Sequence, residues 1–415
     1  MKKSLILIYG LALILVISSQ GSFAETGEIL YNGIRLPEQW PPNYKPTSKE
    51  QIRAVPPVPY LQKENIPSVV PIDVGRQLFV DDFLIEKTDL KRGFHYPQRY
   101  KGNPILKAET PIELNKGQLP MAAMISDGFC YDPKEKHFKL WYEAGWRDGT
   151  MLALSQDGMN FTRPNLDVET GTNRILPERK RWVRHGTGIA IDHWTKDPDQ
   201  RFKMTIYEND THKAWAYTSP DGIHWNNRGE VSECGDNTTI FYNPFRQKWV
   251  YSIRDDHFGR ARYYRECSDF LEGKQWVNAR TEKTGNVKNA DMKVYWAHAD
   301  ELDLPDPELV ATLAKLKEDP TVPRARKVLS KEGKPVLFPF DDTETQLYNL
   351  DAVAYESIML GVFSVHRGPE NGICKEVLKR PKMCDLQLAY SRDGFHWSRP
   401  DRHDFLAGTR KEGDW

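Results

Sequence analysis

The 415-residue sequence contains few cysteines and none of the compact motifs that identify metal or cofactor enzymes. Its five cysteines form neither a CxxC pair nor a cysteine–histidine pattern, so no metal site is predicted. The sequence also lacks a P-loop, a dinucleotide-binding glycine motif and a nucleophile elbow with its serine, histidine and aspartate. We therefore expect no cofactor and no serine-hydrolase chemistry.

An excess of charge of one sign is also missing. The sequence carries 58 basic and 58 acidic residues. Without Lys2 and Lys3, which lie in a predicted leader, the charge is about −2. Such a balance argues against a general role in binding nucleic acid or anionic membranes.

Long hydrophobic runs are absent except at the N-terminus. There, Lys2 and Lys3 precede an apolar run over residues 5–18, and Ser22–Ala24 has a small-x-small cleavage pattern. The run is too short to predict a membrane span, and no cysteine follows the cleavage point, which argues against a lipid anchor. We predict a signal peptide at residues 1–24 and export to the periplasm or the extracellular space.

The sequence is rich in one repeated turn. Three stretches share the pattern Ser-x-Asp-Gly-x-x-aromatic, and a fourth is a longer version of it: Ser155–Phe161, Ser219–Trp225, Ser391–Trp397 and Ser268–Trp276. An Asp-Gly pair favours a tight turn with positive φ, and the aromatic residue can fold back over that turn. The recurrence indicates a repeated supersecondary module.

Short runs of β-branched and aromatic residues precede each turn in the same order. In the first module, Asp127–Asp132 and Phe138–Glu143 are predicted antiparallel strands, and equivalent first strands begin near Ile189, Thr239 and Ala352. Repeated four-stranded antiparallel units are typical of β-propeller blades. A β-sandwich is the alternative, but it would not repeat one turn at one place in each unit. We predict an all-β propeller with these four strands innermost.

The segments outside the repeats set the predicted domain limits. Residues 25–74 are rich in proline and are expected to run extended over a propeller that spans residues 75–415, with Gln77–Ile85 as its first strand. Residues 277–345 contain an insertion in which Asp306–Leu316 is a predicted helix, with Asp306 as N-cap. Since four modules leave no sequence for a fifth blade, the chain forms either a four-bladed ring or a fragment with an open ring, and we expect the fragment.

Carboxylates recur where the inner strands begin. Aligning the four strands places Asp127 and Asp351 at equivalent first positions, with Asp236 and His185 close to the corresponding positions in their own strands. In a propeller such residues converge on the mouth of the central channel. Three carboxylates and a histidine are therefore expected to face one cavity.

The first module and the turns resemble those of the five-bladed glycoside hydrolases of the family 32/43/117 group. The likeness rests on the repeated turn followed by Arg-Pro, as in Phe161–Pro164 and Trp397–Pro400, and on Asp127–Tyr131 preceding Phe138–Tyr142. It covers roughly residues 75–415 and implies a five-bladed propeller that is incomplete at the C-terminus of this chain.

The resemblance also implies roles for the acids. Asp127 matches the first-blade carboxylate that serves as nucleophile or base, and Asp236 approximates the aspartate that stabilises the transition state. Asp351 stands where these enzymes usually have a glutamate as general acid, and Glu208 is the alternative acid. Glycoside cleavage requires one protonated and one ionised carboxyl group, which clustered acids can supply.

Further residues near the strand ends are candidates for substrate binding. Arg254, His366 and Arg367 could bind a carboxylate or sulfate of the substrate, although a solvated ion pair is the commoner role. Trp146 is expected to stack on a sugar, and His185 is expected near the channel mouth.

Two structural bonds are expected as well. The acidic pair Asp81 and Asp82 is expected to bond to a later blade. In an exported protein one disulfide is plausible, and Cys374 and Cys384 are the nearest pair in the sequence.

The preferred interpretation is a secreted glycoside hydrolase that acts on terminal sugars of a carbohydrate substrate. A propeller that binds glycan or protein without catalysis is the first alternative. A sialidase-like enzyme is the second, because the repeated turn resembles the Asp box of that family, with Asp and Gly adjacent. A sialidase would require three convergent arginines and a tyrosine nucleophile.

Overall fold

The computed structural model describes residues 27–177, 184–208, 211, 213–276, 293–330, 332–380 and 382–408, without the side chains of residues 125–127 and 184–187. The predicted signal peptide lies outside the described residues. The strands in chain order are β1 (Ala122–Asp132), β2 (His137–Ala144), β3 (Gly149–Ser155), β4 (Arg184–Ile191), β5 (Phe202–Glu208), β6 (Lys213–Ser219), β7 (Asn226–Glu230), β8 (Thr239–Asn243), β9 (Lys248–Asp256), β10 (Arg260–Cys267), β11 (Val294–Ala297), β12 (Ala325–Leu329), β13 (Pro335–Leu337), β14 (Gln346–Tyr355), β15 (Ile358–Gly368) and β16 (Met383–Ser391).

Four antiparallel sheets form the blades of a propeller. Their strand orders are β1-β2-β3, β4-β5-β6-β7, β8-β9-β10-β11 and β14-β15-β16, so each blade is a meander that starts at its first strand. Strand β1 contacts β4, β4 contacts β8, and β8 contacts β14, which places the first strands innermost around a common channel. The predicted propeller and its four inner strands are confirmed. In the first and last blades, isolated bridges stand in place of a regular fourth strand, at Leu154–Thr162 and Tyr390–Ser398.

The repeated turns have the predicted geometry. In the first, the Ser155 hydroxyl accepts a hydrogen bond from the Gly158 amide at 2.9 Å, and Asp157 accepts from the Met159 amide at 2.8 Å. The glycines of the three Asp-Gly turns, Gly158, Gly222 and Gly394, have φ of 74°, 78° and 81°. Serine and aspartate thus close each turn, and glycine adopts the left-handed conformation that the turn requires.

Blades pack closely because small residues and turns lie at their contacts. A side chain at Gly128 of β1 would approach the Ile189 carbonyl oxygen of β4 to 2.8 Å. Farther out, the Trp141 indole of the first blade donates to the Gly222 carbonyl of the second blade at 2.9 Å. The repeated turn therefore joins neighbouring blades as well as strands of one blade.

The N-terminal segment is not a strand of the sheet. The structure places turns and bends over residues 77–85, so the predicted first strand Gln77–Ile85 is wrong. Phe83 is buried in a small cluster with Tyr60, and Asp81 accepts from the Arg392 guanidinium at 2.9 Å. The expected bond of Asp81 to a later blade is confirmed, and it fixes this segment in an irregular conformation. Asp82 pairs instead with the nearby Arg92.

Helices are few and short. They are α1 (Lys49–Arg53), α2 (Pro111–Leu114), α3 (Phe270–Gly273) and α4 (Pro307–Glu318), with 3-10 turns at Pro59–Leu61, Lys63–Asn65, Asn115–Gly117 and Pro198–Gln200 and a π turn at Ile373–Leu378.

Helix α4 confirms the predicted helix of the insertion. The Asp306 side chain accepts from the Leu309 amide at 2.7 Å, as expected of an N-cap. The α4 residues Leu309 and Leu313 pack against Phe338 and Ile373 in a separate apolar cluster.

The expected disulfide between Cys374 and Cys384 is wrong, because both are free thiols. Cys374 lies in the π turn beside the insertion and its thiol contacts the Pro369 carbonyl at 3.4 Å. Cys384 lies on β16 and faces the central cavity. The two thiols therefore lie in different elements, although the residues are close in sequence. Among the described residues, no helix has the length and apolar character needed to cross a membrane.

Candidate active site

A cavity of about 610 Å³ lies where the four inner strands meet. Each inner strand contributes to its wall, through Gly128 of β1, Gly188 of β4, Thr239 of β8 and Asp351 of β14. Part of the wall is the apolar face of β15 and β16, where Leu386 lies. The cavity therefore combines polar groups at the channel with an apolar side wall.

Asp351 is the acid that faces this cavity. Its carboxylate accepts hydrogen bonds from the Thr239 hydroxyl and from the Asn349 amide, the latter at 2.6 Å. Burial raises the pKa of Asp351, and the hydrogen bonds and the charge of Arg262 oppose that rise without cancelling it. Asp351 is thus biased toward the protonated form relative to an exposed aspartate.

Asp236 has a different environment. It lies just before β8, half-buried, and forms an ion pair with Arg254 of β9 at 3.1 Å. An adjacent guanidinium favours the ionised form of a carboxyl group. The two predicted acids therefore have different environments, since Asp351 is desolvated and Asp236 is ion-paired.

Arg262 lies behind both acids and is fully buried. Its guanidinium donates to the Asn237 carbonyl at 3.0 Å and to the Ser252 hydroxyl at 3.1 Å. Burial lowers its pKa to about 10, while Asp351 and Asp236 raise it. Arg262 holds the loop before β8 in place through these bonds, and its charge reaches both carboxylates.

A group of basic and aromatic side chains lies beside the cavity, between the third and fourth blades. We call Arg260, Tyr348, His366 and Lys382 the rim cluster. The Lys382 ammonium lies 4.4 Å from the centre of the Tyr348 ring, and the Arg260 guanidinium lies 5.8 Å from it. The His366 ring stacks on Tyr348 with centroids 6.4 Å apart. Tyr348 itself lines the cavity, so the cluster adjoins it.

Other predicted site residues lie on different strands and loops of the first two blades. Asp127 lies in β1 and His185 in β4, as expected for inner strands, but their side chains lie outside the described part of the structure. Glu208 ends β5, the second strand of its blade, and is buried, with 4% of its surface exposed. Trp146 follows β2 in a left-handed conformation, with the Arg147 guanidinium 5.3 Å from its ring. Neither Glu208 nor Trp146 is among the residues that line the cavity.

Arg367 is engaged in ion pairs. Its guanidinium contacts Asp385 at 2.6 Å and Asp404 at 3.0 Å. Those contacts attach the segment after β16 to the blade, which supports the structural interpretation of this residue.

Several residues of the site were not predicted. Thr239, Asn349 and Tyr348 were missed, although the last two precede Asp351 on the same strand, where polar residues interrupt an apolar run. Arg260 and Lys382 gave no sequence signal beyond lying at strand starts. The described residues contain no group of histidine, cysteine and acidic side chains that could hold a metal ion.

Comparison with known proteins gives structural matches alone. No family model and no curated protein matches the sequence. A thermostable family-43 glycoside hydrolase shares 11% identity over 69% of this chain and 76% of its own, with a TM-score of 0.37. A putative glycosidase from Bacteroides thetaiotaomicron shares 10% identity over 75% of this chain and 83% of its own, also with a TM-score of 0.37.

A third match is the β-fructofuranosidase of Schwanniomyces occidentalis, with 12% identity over 68% of this chain and a TM-score of 0.34. This chain spans 46% of the length of that enzyme. The matched structures thus include the type of glycoside hydrolase that the repeated turns resemble. The chain is distantly similar in structure to family-43 glycoside hydrolases and to a β-fructofuranosidase.

Proposed function

We propose that this protein is a secreted glycoside hydrolase with Asp351 as its general acid. The observation that carries the proposal is the placement of Asp351 in the channel cavity, desolvated, with its pKa raised. A general acid must hold a proton until the leaving oxygen needs it, and burial of a carboxyl group has that effect.

The remaining roles follow from charge. Asp236, paired with Arg254, is assigned to stabilise the positive charge that develops on the sugar ring. Asp127, which lies within β1, is assigned as nucleophile or base on the resemblance of its strand. The apolar wall formed by β15 and β16 excludes water from one side of the ring. The signal peptide predicted at residues 1–24 would export the enzyme to a compartment where polymeric carbohydrate is available.

The test uses leaving groups of different acidity. Asp351→Asn should lower the rate of hydrolysis of a 4-nitrophenyl or natural glycoside by about 10²–10⁴-fold, because no proton reaches the leaving oxygen. It should affect a 2,4-dinitrophenyl glycoside much less, since that leaving group departs without protonation. Glycosides of pentoses, hexoses and uronic acids form the substrate panel, and Asp341→Asn, in an exposed ion pair with Lys317, is the matched control.

Two results would contradict the proposal. Equal losses on both classes of leaving group would remove Asp351 from the role of acid. A wild-type protein that hydrolyses no member of the panel, but binds glycans, would favour the alternative of a non-catalytic binding propeller.

The sialidase-like alternative is disfavoured by Arg262. Four arginines lie on β9 and β10, namely Arg254, Arg260, Arg262 and Arg265. Arg262 is fully buried and donates to protein oxygens, so it is not placed to bind a substrate carboxylate.

A further inference from the structure

The rim cluster differs from other buried charged groups of the protein in its charge balance. Arg260 donates to the neutral Gln346 side chain at 2.7 Å. Lys382 contacts the face of Tyr348, and among the described residues neither cation forms an ion pair with a carboxylate. Arg254, close by, is matched by Asp236. Among the described residues the Arg260 and Lys382 cations beside the cavity therefore have no carboxylate in ion-pair contact, although the charge of Asp236 also acts on Lys382.

These charges affect one another. Burial and the charge of Arg260 lower the pKa of Lys382. Burial, Arg260 and Lys382 lower the pKa of His366 to about 3, so its ring is neutral. Like charges brought together in a partly desolvated place lower the stability of the folded state. The arrangement is therefore better explained by a function than by stability.

His366 gives an independent indication of a missing partner. Only 3% of its surface is exposed, and neither ring nitrogen has a hydrogen-bond partner among the described residues. Buried polar atoms are usually satisfied, by protein or by ligand. A neutral imidazole can donate one hydrogen bond to an anion beside the two cations.

We propose that the rim cluster binds the anionic group of an acidic sugar, a carboxylate or a sulfate, through Arg260 and Lys382, with His366 as hydrogen-bond donor. The inference rests on the proposed function, and it names the substrate class of that enzyme. Tyr348 lines the cavity together with Asp351, and the Lys382 and Arg260 cations lie 4.4 Å and 5.8 Å from the centre of its ring, so the cluster adjoins the cavity that holds the acid. A fork-shaped guanidinium and an ammonium are the groups that bind carboxylate and sulfate oxygens best.

The experiment measures binding, so that it does not depend on turnover. Calorimetric titrations compare glucuronic with glucose, galacturonic with galactose, and galactose 6-sulfate with galactose, in wild type and in Asp351→Asn. The wild type should prefer at least one acid of these pairs by tenfold or more. The uronic and sulfated arms distinguish carboxylate from sulfate as the anion.

Substitutions then locate the preference. Lys382→Met and Arg260→Gln should each reduce affinity for the preferred acidic sugar about tenfold and leave the neutral sugar unaffected. Lys213→Met, which removes a lysine from an exposed ion pair with Glu230, is the matched control and should change neither affinity.

The outcomes separate the two proposals. Equal binding of acidic and neutral sugars, binding of neither, or unchanged preference in both rim variants would overturn the anion site. An acidic preference without hydrolysis of any substrate would keep the anion site and remove the catalytic proposal. Hydrolysis of neutral glycosides without an acidic preference would do the reverse.

Discussion

Two regions of the molecule collect basic side chains, and they differ in what surrounds the charges. Beside the insertion, Arg399 and Arg402 contact Asp303 and Asp300, with Arg399–Asp303 at 2.9 Å and Arg402–Asp300 at 2.7 Å. In the rim cluster, Arg260 and Lys382 have a neutral amide and an aromatic ring instead. Both regions lie between elements that are distant in sequence.

The difference teaches what buried charge does in this protein. Where each cation has a carboxylate, the charges attach one segment to another and serve the fold. Where cations gather without carboxylates, they do not stabilise the fold. We therefore infer that they bind a ligand. Substitutions that remove one charge from each region should therefore have opposite consequences.

The largest effect is expected beside the insertion. Asp303→Asn leaves two buried guanidinium groups with only Asp300 between them, and should lower the free energy of unfolding by about 3–5 kcal/mol. Burial would raise the pKa of Asp303, but Arg399 and Arg402 outweigh it and hold that pKa low. The contribution is therefore present above the usual aspartate pKa and is lost as pH falls through the lowered one. Urea unfolding at pH 7 measures the loss.

The exposed pair of Lys317 and Asp341 supplies the control for that measurement. Asp341→Asn should change the unfolding free energy by less than about 0.5 kcal/mol, because the pair is solvated. A loss below 1 kcal/mol for Asp303→Asn would show that the balanced region does not hold the fold.

Local sequence patterns predicted most of this architecture. The Asp-Gly turns require glycine in a left-handed conformation and a serine and an aspartate to close them, so three short motifs located the blades. A local pattern also located the helix that begins after Asp306, because Asp306 is its N-cap and Pro307 its first residue. The prediction of a strand at residues 77–85 was wrong because contacts with residues distant in sequence determine their conformation. Asp81 bonds to Arg392, and Phe83 packs on Tyr60.

The site was predictable only in part for the same reason. Asp351 followed from aligning inner strands, which is a local pattern repeated four times. The rim cluster did not, because Arg260 and Lys382 come from different blades, and their lack of counter-charges is a property of three-dimensional neighbours. The Cys374–Cys384 prediction failed likewise, since the two residues face different parts of the blade.

The next effect concerns pH and the rim cluster. His366 is neutral in the folded protein, with a pKa of about 3, whereas an unfolded histidine has a pKa of about 6.5. Between these values the unfolded chain binds a proton that the folded one does not, so stability falls as pH falls from about 6.5 toward 3. Between pH 7 and pH 5, wild type should lose about 2 kcal/mol more than His366→Phe.

That difference is measured by urea unfolding of both proteins at the two pH values. The groups that face His366 are Arg260, Lys382 and Tyr348, which are present in both proteins. His224→Phe is the control, because His224 is half exposed and bonded to Asp221 and Asp167. Parallel pH profiles for wild type and His366→Phe would contradict a buried neutral histidine.

The smallest effect, with the opposite sign, is expected at Lys382. Lys382→Met keeps an apolar side chain against the Tyr348 ring and removes a desolvated charge next to Arg260, while it sacrifices the cation–π contact. These terms nearly cancel, and the unfolding free energy should stay within about 1 kcal/mol of wild type or rise. The same substitution at Lys139, which is buried with Asp132 at 3.3 Å and Glu135 at 2.9 Å, should lower it by about 2 kcal/mol. Equal losses at the two lysines would mean that the rim cluster is stabilised like any internal ion pair, and the distinction between the two kinds of region would fail.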